Sequence, residues 1–255
     1  MAKIINAKKK FFGTDGIRGP ISSKTSPDFI LKLGWAAGEV FKDLGIKTFI
    51  IGKDTRISGY MLEAALQAGI ISSGLNVRLV GPLPTPAISY LVSTFKSQAG
   101  IVISASHNSY EDNGIKFFDD KGQKISDEIE LLIEQKISEE ITVVEPERLG
   151  KAARLNDASG RYIEYCKNSL SQQISFTGLK IVLDTANGAA YDVAPKVFRE
   201  LGAEVVAISN NPDGLNINKN CGSTDLNFLK KAVLDSNADF GLSLIHISEP
   251  TRRLN

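Results

Sequence analysis

Short apolar runs alternate with amphipathic helix patterns along this chain, and that rhythm restricts the fold more than any other feature. Lys47–Gly52, Asn76–Val80 and Ile101–Ile103 read as buried strands of the parallel-sheet kind. Between them lie helix signals. Ser26 and Pro27 suit an N-cap and first helical position, and Phe29, Leu33, Ala36, Ala37, Val40 and Leu44 form a stripe that Gly45 closes. Ser58 is the expected N-cap of a helix running to Gly74, and Thr85-Pro86 opens one over 87–95. Gly114–Phe118 reads as a further strand, and Ser126-Asp127-Glu128 begins a helix with Ile129, Leu132, Ile133 and Ile137 on one face. The expectation is an α/β fold: a three-layer α/β/α domain with a mostly parallel sheet. Residues 141–156, with Pro146 and Gly150, read as a connection. The rhythm then restarts with a helix near Asp157, strands at Leu179–Asp184 and Glu204–Ile208, helices over 189–201 and 225–234, and a strand from Asp239. This second unit is expected to be an incomplete α/β domain.

At 255 residues the chain can bury a sizeable core, and 42% hydrophobic with 23% charged residues is ordinary for a soluble globular protein. A net charge of +1 gives no reason to expect nucleic acid or an acidic membrane as partner, and Lys8-Lys9-Lys10 is too short to change that. Cys166 and Cys221 lack metal-ligand spacing. The start lacks the apolar core of a secretion signal and no apolar run reaches membrane-spanning length, so a cytoplasmic location is expected.

The run Ile101-Val-Ile-Ser-Ala-Ser-His-Asn108 empties a strand into Ser104, Ser106, His107 and Asn108. Ligands of open α/β sheets sit at the carboxyl ends of strands. Serine is a poor nucleophile without a base, a metal or a phosphate already attached, and His107 stands beside Ser106. Taken alone, the run fits a polar turn that caps a helix at least as well as catalysis. Phe12-Gly-Thr-Asp-Gly-Ile-Arg-Gly19 has glycines at 13, 16 and 19, which is not the dinucleotide fingerprint. It reads as a tight glycine turn or as a loop approaching a ligand, with Arg18 offering a planar fork to phosphate. Lys53-Asp54-Thr55-Arg56, between a strand end and a helix start, suits an anion and surface ion pairing about equally.

Together, Phe12–Gly19, Ile51-Gly-Lys-Asp-Thr-Arg-Ile-Ser-Gly59, Ile103–Asn108 and Asp112-Asn-Gly-Ile-Lys-Phe-Phe118 resemble the α-D-phosphohexomutases. Leu33–Gly38, Asp184-Thr-Ala-Asn-Gly188 and Asp213-Gly-Leu-Asn-Ile-Asn218 fit the same family, so the resemblance runs from about Phe11 to Leu242. It implies an isomerase that moves a phosphoryl group within a phosphosugar through a phosphoserine and a sugar bisphosphate. Ser106 matches the serine that carries the phosphate. Arg18 would contact phosphate, Lys116 would assist proton transfer or hold the phosphoryl group, and His107 belongs to the signature. The resemblance also implies one Mg²⁺, held by the phosphate on Ser106 and three aspartates. Overall resemblance favours an amino sugar over glucose or mannose phosphate.

Two departures stand out. Ser109 occupies the position where the family has proline, which loosens the loop. After Leu242 the family continues into Asp-Gly-Asp-x-Asp-Arg, the metal loop, whereas this chain reads Ser243-Leu-Ile-His-Ile-Ser-Glu-Pro-Thr-Arg-Arg-Leu-Asn255. Leu242–Arg252 reads as an in-frame translation of a transposon adapter used to prepare sequencing libraries. The alternative is a natural truncation with a new tail, in which His246, Glu249 and Arg252 would be candidate ligands. The expected organisation is a first domain over 1–150, an incomplete second domain over 151–242 and a non-native tail over 243–255. The family's sugar-reading third domain and phosphate-gripping fourth domain are also missing, so the chain alone is expected to be inactive. The competing reading is a non-catalytic α/β fragment that binds phosphate weakly.

Overall fold

The computed structural model describes residues 9–22, 25–95, 98–171 and 174–244. The first unit contains β1 (Ile17–Pro20), α1 (Pro27–Asp43), β2 (Thr48–Lys53), α2 (Ser58–Ser72), β3 (Asn76–Pro82), α3 (Thr85–Thr94), β4 (Gln98–Ile103), β5 (Asp112–Phe118) and α4 (Asp127–Ile137). Then come β6 (Ala152–Arg154), α5 (Ala158–Asn168), β7 (Lys180–Asp184), α6 (Val193–Glu200), β8 (Glu204–Ile208), α7 (Asn227–Ser236) and β9 (Phe240–Ser243). A six-stranded sheet has the order β1-β5-β4-β2-β3-β6. Its β4, β2, β3 and β6 run parallel, while β5 pairs antiparallel with β4 and β1 antiparallel with β5, so that β5 alone is reversed in this sheet. A second sheet, β8-β7-β9, is parallel throughout. The mostly parallel α/β/α architecture is the expected one.

Alternation along the strands builds two cores. Phe49 and Ile51 of β2, with Ile101 and Ile103 of β4, face Trp35, Phe41, Leu66, Ile70 and Ile133 of α1, α2 and α4. Ile50 and Val102 point the other way, onto Ile88 and Leu91 of α3, Tyr162 and Ile163 of α5, and Val193 of α6. Full burial of one such side chain stabilises by roughly 1.5–3 kcal/mol, against about 1 kcal/mol for a helix cap, so packing on both faces sets the layers.

The caps on α1 and α4 are as expected. Phe29 N–H donates to Ser26 Oγ at 3.3 Å, and Ile129 N–H reaches Ser126 Oγ at 3.5 Å. At α2 the expectation fails: Ile57 is the N-cap, and Ser58 is the first helical residue, with its hydroxyl donating to Asn113 Oδ1. A tertiary partner has taken the side chain that local preference assigned to the cap. Leu44 is also exposed, because α1 packs against both α2 and α4 and buries Ile30, Leu33, Ala37 and Phe41 instead. The stretch read as a connection carries β6, which pairs with β3 through Val77–Ala152 and Leu79–Arg154. Three residues without a β-branched side chain give no periodic signal; the open edge of β3 recruits them.

Ser243 ends β9, and Leu244 packs against the small core of Leu183, Ala190 and Ala194. Residues 245–255, with His246, Glu249 and Arg252, lie outside the described residues, as does Lys8. Among the described residues no helix is long and apolar enough to cross a membrane.

Candidate active site

β2 and β4 are neighbours and parallel, so the loops leaving them emerge side by side at one end of the sheet. Ser106 lies in the loop after β4, half-buried, with φ at 58°. Left-handed backbone costs an ordinary L-residue about 1–2 kcal/mol, so the surroundings must hold it there. Ser106 N–H donates to Ser104 Oγ at 3.2 Å, and its own hydroxyl lies 3.4 Å from His107 Nδ1. The loop is tied to β5 by Ser104 N–H donating to Gly114 C=O at 2.8 Å. A Cβ on Gly114 would stand 2.3 Å from the Ser104 carbonyl oxygen, so only glycine permits this approach.

Arg18 and Lys116 meet at another carboxylate. Lys116 Nζ lies 2.8 Å from Asp15 Oδ2, and Arg18 pairs with the same oxygen. Partial burial alone would raise the Asp15 pKa, but the Lys116 and Arg18 charges outweigh it and hold the carboxyl below its ordinary value. Register explains the meeting: β1 places Arg18 opposite Gly114, two residues from Lys116. Gly16, at φ 79°, lets this loop lie against β5, where a Cβ would be 2.2 Å from the Ile115 carbonyl oxygen. The structure therefore joins Ser106 to His107 and Arg18 to Lys116. Among the described residues no hydrogen bond or ion pair links one couple to the other.

For Lys53-Asp54-Thr55-Arg56 neither expectation holds as stated: the cations are ion-paired, but in the interior and not at the surface. Lys53 Nζ is 2.6 Å from Glu63 Oε2 and 3.9 Å from the Tyr60 ring centre. Arg56, 1% exposed, pairs with the buried Asp54 and turns Nη2 onto the carbonyls of Ser106, Asn108 and Ser109 at 3.3, 2.8 and 3.3 Å. These cations are consumed internally and none is left for an external anion. Arg56 shapes the serine loop, a role that its sequence position did not reveal.

From the second unit, Asn218 Nδ2 donates to the same Ser106 and Asn108 carbonyls at 3.0 and 2.8 Å. Thr55 Oγ1 donates to Asn187 C=O at 2.5 Å and Ile57 N–H to Gly214 C=O at 2.9 Å, which closes the seam between the two units. Beneath it, the fully buried Asp184 accepts from Ala186 N–H at 2.9 Å and Gly222 N–H at 2.7 Å. Among the described residues no three His, Cys, Asp or Glu side chains could hold a metal ion. With one serine hydroxyl and no convergent carboxylates, they do not by themselves make a Mg²⁺ centre.

A strand-end serine in left-handed backbone, on a mostly parallel α/β/α sheet whose neighbouring strands carry Arg18 and Lys116 paired to Asp15, defines the class of α/β protein to which this chain belongs. A family model described as phosphoglucomutase/phosphomannomutase, alpha/beta/alpha domain I, matches residues 9–143, and one for alpha/beta/alpha domain II matches residues 160–244. The chain belongs to the phosphoglucomutase/phosphomannomutase family. It is 60% identical over 236 residues to a phosphoglucosamine mutase of Pseudomonas fluorescens (strain Pf0-1), covering 92% of this chain and 53% of that one. With a phosphoglucosamine mutase of Edwardsiella ictaluri (strain 93-146) it shares 57% over 238 residues, 93% of this chain and 54% of that one. The chain thus spans about half the length of the curated relatives it matches. A solved phosphoglucomutase/phosphomannomutase family protein from Burkholderia thailandensis has the same fold, with a TM-score of 0.77 at 24% identity, over 92% of this chain and 52% of that one.

Proposed function

We propose that the protein carrying this chain interconverts glucosamine 6-phosphate and glucosamine 1-phosphate, with Ser106 as the phosphoryl carrier. The observation that carries this reading is the Ser106 hydroxyl itself: it stands at the end of β4 on a backbone held from several sides, and its own hydrogen bond goes to His107. The 60% identity to a phosphoglucosamine mutase supports the choice of sugar. In the forward direction the phosphorus–oxygen bond at Ser106 breaks as one to the sugar's O1 forms, and the sugar hydroxyl loses its proton. The bisphosphate turns over, its 6-phosphate returns to Ser106, and the 1-phosphate leaves. Such transfer depends on positioning and charge neutralisation. Lys116 and Arg18, held by Asp15, would supply positive charge to a phosphoserine carrying about −1.5 to −2. His107 would take or return the proton at the Ser106 hydroxyl. In this reading Mg²⁺ would neutralise further charge, with its other ligands supplied from beyond the described residues. A cytoplasmic location goes with it, since phosphosugars are charged solutes that do not cross membranes unaided.

The test is a coupled assay of glucosamine 1-phosphate formation with Mg²⁺ and a trace of glucosamine 1,6-bisphosphate. It compares the 255-residue chain with a full-length protein in which residues 9–242 replace the matching segment of the Pseudomonas fluorescens relative. The full-length protein is expected to turn over, the 255-residue chain to be silent, and Ser106→Ala to abolish turnover. Activity that survives Ser106→Ala would overturn the reading. A full-length protein active only on glucose or mannose phosphates would replace the substrate.

A further inference from the structure

We propose that Asn218 is a positioning residue for phosphoryl transfer, reaching from the second unit to fix the backbone that presents the Ser106 hydroxyl; this rests on Ser106 being the phosphoryl carrier. The Ser106 carbonyl accepts from Arg56 Nη2 at 3.3 Å and Asn218 Nδ2 at 3.0 Å, and the Asn108 carbonyl from the same two groups at 2.8 Å each. A carbonyl oxygen has two lone pairs, so both oxygens are saturated, one donor coming from each unit. That arrangement over-determines a loop whose central residue sits at φ 58°, where serine does not stay of its own accord. It also commits two carbonyl dipoles to donors instead of leaving them to repel a phosphate.

Asn218 suits the task in two ways. Its φ of 59° is left-handed, which asparagine tolerates better than most residues, and its amide supplies both N–H groups from one nitrogen. Its Oδ1 is buried and has no hydrogen-bond partner among the described residues, so the side chain is committed through the nitrogen. The residue is anchored by its own N–H to Ala186 C=O at 2.9 Å, and Ala186 N–H is held by Asp184 at the end of β7. A continuous set of bonds thus runs from the second sheet to the serine loop.

Asn218→Gly keeps the positive φ and deletes the amide. Asn218→Asp keeps the shape and sets an acceptor against two carbonyls. In the full-length protein both are expected to lower kcat between about 10-fold and 100-fold with KM for the sugar phosphate unchanged, as a misplaced reacting group does. Uptake of a phosphoryl group by Ser106 from glucosamine 1,6-bisphosphate, followed by intact mass, should slow by the same factor. In the 255-residue chain, Asn218→Gly should speed amide exchange in peptides spanning 104–109, whereas Lys219→Ala leaves it unchanged. Parental kcat in both variants with parental exchange in Asn218→Gly would overturn the proposal, as would a loss confined to a rise in KM. Ser106→Ala separates the two readings: if that variant is dead while Asn218→Gly is fully active, only the role of Asn218 falls.

Discussion

At the scale of single residues, Arg56 shows how one buried side chain can decide a loop. Its guanidinium is 1% exposed, is paired with an equally buried Asp54 carboxylate, and meets three carbonyls of the serine loop. Arg56→Ala strands the Asp54 charge in the interior, and breaking a buried pair in this way costs about 3–5 kcal/mol. Urea denaturation is expected to show a loss in that range, with Arg56→Lys recovering part of it because lysine restores the charge but not the planar fork. A loss below about 1 kcal/mol, the scale of a surface pair, would mean that water reaches Asp54. The site residues were legible in the sequence to different degrees. Ser106, His107 and Arg18 stand out only when their motifs are taken together as a family resemblance, since each run alone fits a polar or glycine turn equally well. Arg56 was visible as a cation but not as one turned inward, since a sequence does not show which anion lies nearest in space. Asn218 stands more than a hundred positions from the carbonyls it holds, and no local pattern links them.

Among the elements, helices with local caps and strands that are short apolar runs were readable, as α1, α4 and β2 show. Long-range partners moved the rest. Ser58 left its cap for Asn113, and β6 exists because β3 offers an unpaired edge. The approach to β1 is another long-range construction. Glu134 of α4 gathers the backbone N–H groups of Lys10, Phe11 and Phe12 at 2.7, 2.6 and 2.8 Å, holding the segment that leads into the Arg18 loop. Glu134→Ala leaves these donors without their acceptor, at a cost of roughly 1–3 kcal/mol. Hydrogen exchange is expected to rise over 10–12 and to stay unchanged in β3. Uniform exchange across the chain would mean that α4 and this segment do not depend on the carboxylate.

For the whole molecule, a third core bridges the two units, between a cluster belonging to the first sheet and a small one belonging to the second. Ile88 and Leu91 of α3 share one cluster with Tyr162 and Ile163 of α5 and Val193 of α6, and the rings of Tyr90 and Tyr165 stack 4.0 Å apart across the same seam. Calorimetry of the 255-residue chain is therefore expected to show one cooperative transition, and Tyr162→Ala to lower its midpoint as a whole. Two resolved transitions would show that the seam is too weak to couple the units. The same shared packing bears on how such chains can be recombined. The family matches leave residues 144–159 between them, which looks like a natural place to cut and splice genes. That interval holds β6, the outer strand of the first sheet, and Ala158, the first residue of α5 and part of the shared core. A crossover there hands the first sheet a foreign margin and a foreign helix to lean on. Shuffled offspring of this family should survive only when parents agree across that interval, so the apparent joint is inherited as part of the block before it.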